Sequence, residues 1–463
     1  MKLYLIYLIG LTIVSCSLIQ KPESAKDQWI KPWENNPSYW QYRGEPVLLL
    51  GGTISNNIFR PGMEVHLDSL KAIGGNYIRV TMSIGGLKGG MFAAMKDEGY
   101  YDLNSWNDEY WNQLEHVLRL SYERDIIVQL EVWDRFDHSR DSWLPSPYNP
   151  KNNINYTYEE AGLDSLYPLH PGANVHPFFF TVKESTNNEV LLPYQEAFVK
   201  KLLSITLEFD NILYCIDNET SGVEEWAVYW ADFIKDNAQE KDIYITQMWD
   251  PWDVKTEMHK RTLDHPDRYH YIDISQNSHI PGCPNWDNAQ FVFEYIKYDP
   301  RPVNSTKIYG SDNYEPWLHR GMTTDHAVQA FFRNILGGFA SSRFHRPPHG
   351  LGLSQPSINS IKSIRAIEEY VKMWEVTPRM DLIPGIEGNE AYLAAREGDK
   401  YVVYFPQRGS VKIDLTEYNN KFTVKWINTE NAQWDRTFEI DGGRMADLNA
   451  LNEKGSIAVL IRK

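Results

Sequence analysis

Asn211-Ile-Leu-Tyr-Cys-Ile-Asp-Asn-Glu219 is the stretch on which the fold of this chain turns. Ile212 to Ile216 is an apolar run that stops abruptly at Asp217, Asn218 and Glu219. A short apolar run bounded by polar residues predicts a buried strand. A parallel α/β barrel carries its chemistry at the C-terminal ends of its strands, where two carboxylates and an amide stand here.

On either side of this strand the chain repeats one unit: apolar strand, polar loop, amphipathic helix. Residues 46–51, 76–83 and 126–134 are expected as strands one to three, and 243–250, 269–275, 307–312 and 338–343 as strands five to eight. The helix predicted over 63–73 turns Val65, Leu67, Leu70 and Ile73 inward. Eight such units over 45–378 predict an α/β fold, a (β/α)8 TIM barrel. A doubly wound open sheet usually offers a Gly-rich phosphate turn after strand one, and Gly51-Gly52-Thr53 is too short for that. The polar, Asn/Pro-rich excursion over 137–189 is long for a compact domain, which marks it as functional. Beyond Pro378 short period-two strands alternate with turns such as Asp441-Gly-Gly. That pattern predicts a small antiparallel β-sandwich over 379–463.

The chain has 463 residues and a formal net charge of −16, which argues against nucleic-acid binding because phosphates need a basic footprint. Aromatic residues make up 13%, with 16 Trp and 28 Tyr, the kind of side chain that lines sugar clefts as well as cores. The three cysteines, Cys16, Cys215 and Cys283, form no CxxC and no disulfide framework. Strand one is followed by no His-x-His, so no metal is expected, and no cofactor either.

Lys2, the apolar run 3–14 and Ser15 describe a secretory signal peptide. Ile13-Val14-Ser15-Cys16 resembles the lipobox of bacterial lipoproteins. The resemblance implies a signal peptide over 1–16, lipidation at Cys16, and a tether and lead-in over 17–44. It also implies an exported protein held at the bacterial outer membrane by its N-terminal lipid alone.

The polar residues collected from the predicted strand ends are Arg79, Asp134, Asp217, Asn218, Glu219, Trp249, Asp250, Asn277, His279, Asp312, Glu315, His345 and Arg346. Trp133, Trp249 and Trp252 follow strands three and five and suit either packing or a sugar platform. Acids, amides and aromatics dominate this set. Glycosidic bond cleavage requires paired carboxylates, one protonated to donate to the leaving oxygen and one ionised.

Asn218-Glu219 closing strand four, with Arg79 on strand two, resembles the clan A, cellulase-like glycoside hydrolases. The tail and Phe331-Phe-Arg-Asn-Ile-Leu-Gly-Gly-Phe-Ala-Ser-Ser-Arg-Phe-His-Arg-Pro347 resemble bacterial barrels that carry a C-terminal β-domain of the type named for collagen binding. The resemblance implies a retaining glycoside hydrolase acting on a polysaccharide or oligosaccharide. Glu219 would be acid/base, Asn218 a substrate-binding amide, and Arg79 the residue orienting the nucleophile. The family's strand-seven nucleophile is a Glu, whereas this chain has Tyr309-Gly-Ser-Asp312-Asn-Tyr-Glu315. Asp312 fits by register and Glu315 by residue type. Carboxylates about 5–5.5 Å apart mean retention and about 6.5–9.5 Å inversion, so the outcome depends on which acid serves. The rival expectation is a surface glycan-binding lipoprotein without turnover. A third is a protein-binding adhesin using the β-domain.

Overall fold

A computed structural model describes residues 28–55, 61–82, 90–95 and 99–463. Cys16 and the signal segment lie outside the described residues. No described helix is long and apolar enough to cross a membrane.

The core is an eight-stranded parallel barrel. Its strands are β1 (Leu49–Gly52), β2 (Tyr77–Thr81), β3 (Ile127–Asp134), β4 (Ile212–Asn218), β5 (Ile245–Thr246), β6 (Ile272–Asp273), β7 (Val303–Ile308) and β8 (Ser341–Phe344). Their order, β5-β4-β3-β2-β1-β8-β7-β6, is that of a barrel opened between β5 and β6. The gap is closed by His270 N donating to Ile245 O at 2.9 Å and by Thr246 Oγ1 donating to Tyr271 O at 2.6 Å. Burial on both sides explains why β4 is an unbroken apolar run up to Asp217. At Gly51 the backbones of β1 and β2 approach so closely that a Cβ would lie 1.9 Å from Tyr77 O.

Strand one begins later than the sequence suggests. Pro46 and Val47 belong to a three-stranded antiparallel sheet (Lys31–Trp33, Asn36–Tyr42, Glu45–Val47) ahead of the barrel. Trp40 from this sheet plugs the N-terminal end, its Nε1 donating to Asn304 Oδ1 at 3.0 Å and its ring meeting Tyr271 edge-on at 5.3 Å. In the first helix, Met63–Ala72, Val65 is exposed and His66 takes the inward position.

Strand seven starts earlier than expected, at Val303 rather than Lys307. Its first residues, Val-Asn-Ser-Thr, look too polar for a buried strand. The barrel interior satisfies them: Asn304 meets Trp40, and Thr306 donates to Asp273. Lys307 therefore lies within β7, and Asp312 lies four residues beyond its end.

After the barrel, β9 (Thr377–Pro378), β10 (Tyr392–Arg396), β11 (Lys400–Gln407), β12 (Ser410–Asp414), β13 (Lys421–Asn428), β14 (Gln433–Asp441), β15 (Met445–Asn449) and β16 (Lys454–Arg462) build two antiparallel sheets. Period two divides β11 between two cores. Tyr401, Val403 and Phe405 pack inside the β-domain, while Val402 and Tyr404 join the barrel core, with Tyr404 against Phe332 at 4.8 Å.

Candidate functional site

At the C-terminal mouth of the barrel lies a basin of about 880 Å³. Glu219, one residue past β4, stands in it with φ of 46°, a left-handed conformation rare for a residue with a side chain. Two backbone bonds fix the turn: Thr220 N to Met248 O and Asp250 N to Thr220 O, both 2.9 Å. Such strain, held by its surroundings, is typical of working sites.

The floor is a connected set of charges. Arg79 binds both oxygens of Glu131 and donates from Nη2 to Asn218 Oδ1 at 2.7 Å. Lys307 Nζ donates to the same Asn218 oxygen and to Glu219 Oε1, the latter at 2.7 Å. Tyr309 OH also donates to Glu219 Oε1. Asn218 Nδ2 donates to Asp134 Oδ2 at 3.0 Å, so one amide joins the acid of β3 to the cation that holds Glu219.

These surroundings drive the two acids apart. Burial pushes the Glu219 carboxyl up, but the Lys307 charge and the hydrogen bonds from Lys307 and Tyr309 outweigh it and bring the carboxyl down to about 2. Asp134 is pushed up to about 8, first by burial and then by the neighbouring Asp137 charge, against the pull of Arg79. Asp250 is raised by burial and by the charge of Glu219. His279 and His345 are pushed down by burial, His279 to about 4, so both are neutral at pH 7.

Rings build one wall. Trp252 stacks on His279 at 4.5 Å, and Tyr309 joins His279 at 4.3 Å and His345 at 4.7 Å. Tyr314 and Trp317 continue that wall, and Phe136, Arg140 and His170 come from the loop after β3.

Of the expected residues, Arg79, Asp134, Asn218, Glu219, Asp250, His279, His345 and Arg346 line the basin, as does Trp252. The structure does not bring Asp312 or Glu315 there. Asp312 is exposed and accepts from Thr324 N at 3.1 Å, ahead of the helix Thr324–Leu336. Glu315 is exposed, 3.5 Å from His319. The early start of β7 is the reason: Lys307 and Tyr309 occupy the end of the strand where an acid was expected.

Trp133 is buried among Phe178, Phe198, Trp226 and Trp230. Trp249 is buried, with Nε1 donating to Thr262 Oγ1 at 2.6 Å. Both tryptophans are core, packed on the helix side of the barrel wall. Asn277 is buried away from the basin, exchanging amide bonds with Asn285 at 2.7 and 2.9 Å. Asp217 points into the wall, bonded to Gln247 and Trp226.

Lys307, Tyr309, Tyr314, Trp317, His349, Arg140 and His170 also line the basin and stand outside the set expected from the strand ends. Lys307 stands at the first position of the strand predicted over 307–312, where a cation draws no notice. For Arg140 and His170 the signal is the length of the excursion that holds them, which marks the segment and not the residue.

The fold is a (β/α)8 TIM barrel followed by a C-terminal antiparallel β-domain. No family model matches the chain, and no curated protein matches it in sequence. Among solved structures, a glycoside hydrolase family 5 protein from Bacteroides vulgatus ATCC 8482 is 14% identical, with a TM-score of 0.63 over 94% of each chain. A second glycoside hydrolase is 14% identical, with a TM-score of 0.62 over 94% of this chain and 97% of the other. An alpha-amylase from Geobacillus thermoleovorans, complexed with acarbose, gives 0.54 at 12% identity over 95% and 97%. At these identities the likeness establishes the fold.

Proposed function

We propose that this protein is a glycoside hydrolase that cleaves a polysaccharide or oligosaccharide in the basin with Glu219 and Asp134. The observation that carries this reading is two carboxylates in one basin whose proton affinities are driven in opposite directions. Acid and base roles belong to such pairs. Glu219, held ionised by Lys307, attacks the anomeric carbon or activates water. Asp134, still protonated at neutral pH, donates to the leaving oxygen. This reverses the role the resemblance gives Glu219, because a carboxyl at about 2 holds no proton to give. The aromatic wall of the basin, with Trp252, Tyr314 and Trp317, supplies apolar surface to the sugar.

Release of reducing ends from a polysaccharide panel tests the reading. Wild type is expected to release them from at least one polysaccharide, and Glu219→Gln and Asp134→Asn to lose that release. Full activity in either variant would remove its residue from the mechanism.

A second reading, glycan binding without turnover, is favoured by the end of β7, where the resemblance implies an acid and this chain has Lys307-Ile-Tyr309. Retention of immobilised glycan by wild type, with no reducing ends from any panel member, would establish it. The signal-type start and Cys16 support an exported, lipid-anchored protein. Metabolic labelling with a fatty acid, lost on Cys16→Ser, tests that placement.

A further inference from the structure

Two arginines stand at the basin mouth with no acidic partner among the described residues. Arg140 lines the basin from the loop after β3, its guanidinium 5.9 Å from the Phe136 ring. Arg320, on the loop after β7, lies over Trp252 at 5.2 Å and over Trp317 at 5.5 Å. Both are exposed. A guanidinium laid on ring faces is held in place while its N–H edge stays free to meet an acceptor.

No ion pair joins these arginines to Glu219, Glu131, Asp134 or Asp250. Glu219 is matched by Lys307 and Glu131 by Arg79. Asp134 keeps its proton at neutral pH. Asp250 takes a hydrogen bond from Ser221 Oγ at 3.2 Å. A chain of net charge −16 thus presents two guanidinium groups without an ion-pair partner among the described residues at the mouth of its basin. A chain of that charge repels polyanions at long range, so guanidinium groups left unpaired at a binding basin suit a ligand that carries negative charge itself.

We propose that the basin takes an anionic glycan, with a carboxylate or sulfate of the sugar chain held by Arg140 and Arg320. The inference rests on the basin being a glycan site. It does not need turnover, since the arginines act on binding. Either anion fits the planar fork of a guanidinium.

Binding to dextran, carboxymethyl-dextran and dextran sulfate, which share one backbone, is measured on the Glu219→Gln protein. At least one charged polymer is expected to bind about tenfold or more tighter than neutral dextran and to weaken with added salt. Which one binds tells carboxylate from sulfate. Arg140→Gln with Arg320→Gln is expected to abolish that advantage. Arg436→Gln, an exposed arginine on the β-domain, is expected to leave it intact. Equal binding of all three polymers, no binding, or charged-polymer binding that survives the double substitution would overturn the proposal. Because Glu219→Gln needs no turnover here, a failed hydrolysis assay and a failed charge preference are separate results.

Discussion

Lys307 Nζ lies 2.7 Å from Glu219 Oε1, with the lysine side chain 1% exposed and the glutamate 13%. The carboxylate that ends β4 is thereby paired with a cation from β7. An opposite charge at this distance favours ionisation of the carboxyl by about 1–3 pKa units. Lys307→Met should therefore raise the Glu219 carboxyl and move the acid limb of kcat/KM to higher pH by at least about one unit. A pH–rate profile of the variant checks this. An unmoved limb would separate Lys307 from the ionisation of Glu219.

Asp134 gives the opposite signature. Its folded value, about 8, lies above the ordinary 3.8, so the folded chain holds a proton that the unfolded chain has lost across that window. Stability is therefore expected to fall as pH rises from about 4 to about 8. Asp134→Asn should flatten that dependence, as read by Tm against pH. The basic limb of kcat/KM is expected near pH 8, where Asp134 gives up its proton.

Asp312→Asn and Glu315→Gln are expected to keep kcat/KM within about threefold of wild type, because neither acid faces the basin and exposed changes of this kind are mild. A loss of 100-fold or more in either would return that residue to the mechanism.

Trp252 is half-exposed and stacked on His279, so Trp252→Ala should weaken glycan retention with little change in Tm. Trp133 is buried among four rings, and Trp133→Ala should cost about 3–5 kcal/mol of stability. Denaturant unfolding and glycan retention, measured on both variants, should separate the two tryptophans.

The barrel was legible because period and punctuation carry it. Apolar runs such as 212–216 alternate with amphipathic helices, and few folds repeat that unit eight times. What escaped was set by side chains meeting across the barrel. Asn304 and Thr306 look like loop residues until Trp40 and Asp273 satisfy them, so strand seven was started too late. That shift placed Asp312 at the strand end and Lys307 at its start. Trp133 and Trp249 were ambiguous because both faces of a barrel strand are buried, and only the fold tells the helix side from the pocket side. Glu219, Asn218, Arg79 and Asp134 fall in the basin because each sits at or near the end of a strand whose register the apolar runs mark. Arg140 and His170 belong to an excursion whose turns no periodicity predicts.

The division of labour between Glu219 and Asp134 is tested most directly by leaving-group dependence. Once the panel has identified the sugar, its 2,4-dinitrophenyl glycoside, which needs no proton donor, is compared with the natural glycan. Asp134→Asn is expected to lose about 100-fold or more of kcat/KM on the glycan and to retain most of it on the dinitrophenyl substrate. Glu219→Gln is expected to lose activity on both. The reverse pattern, Glu219→Gln rescued by the activated substrate and Asp134→Asn not, would make Glu219 the proton donor and contradict the account.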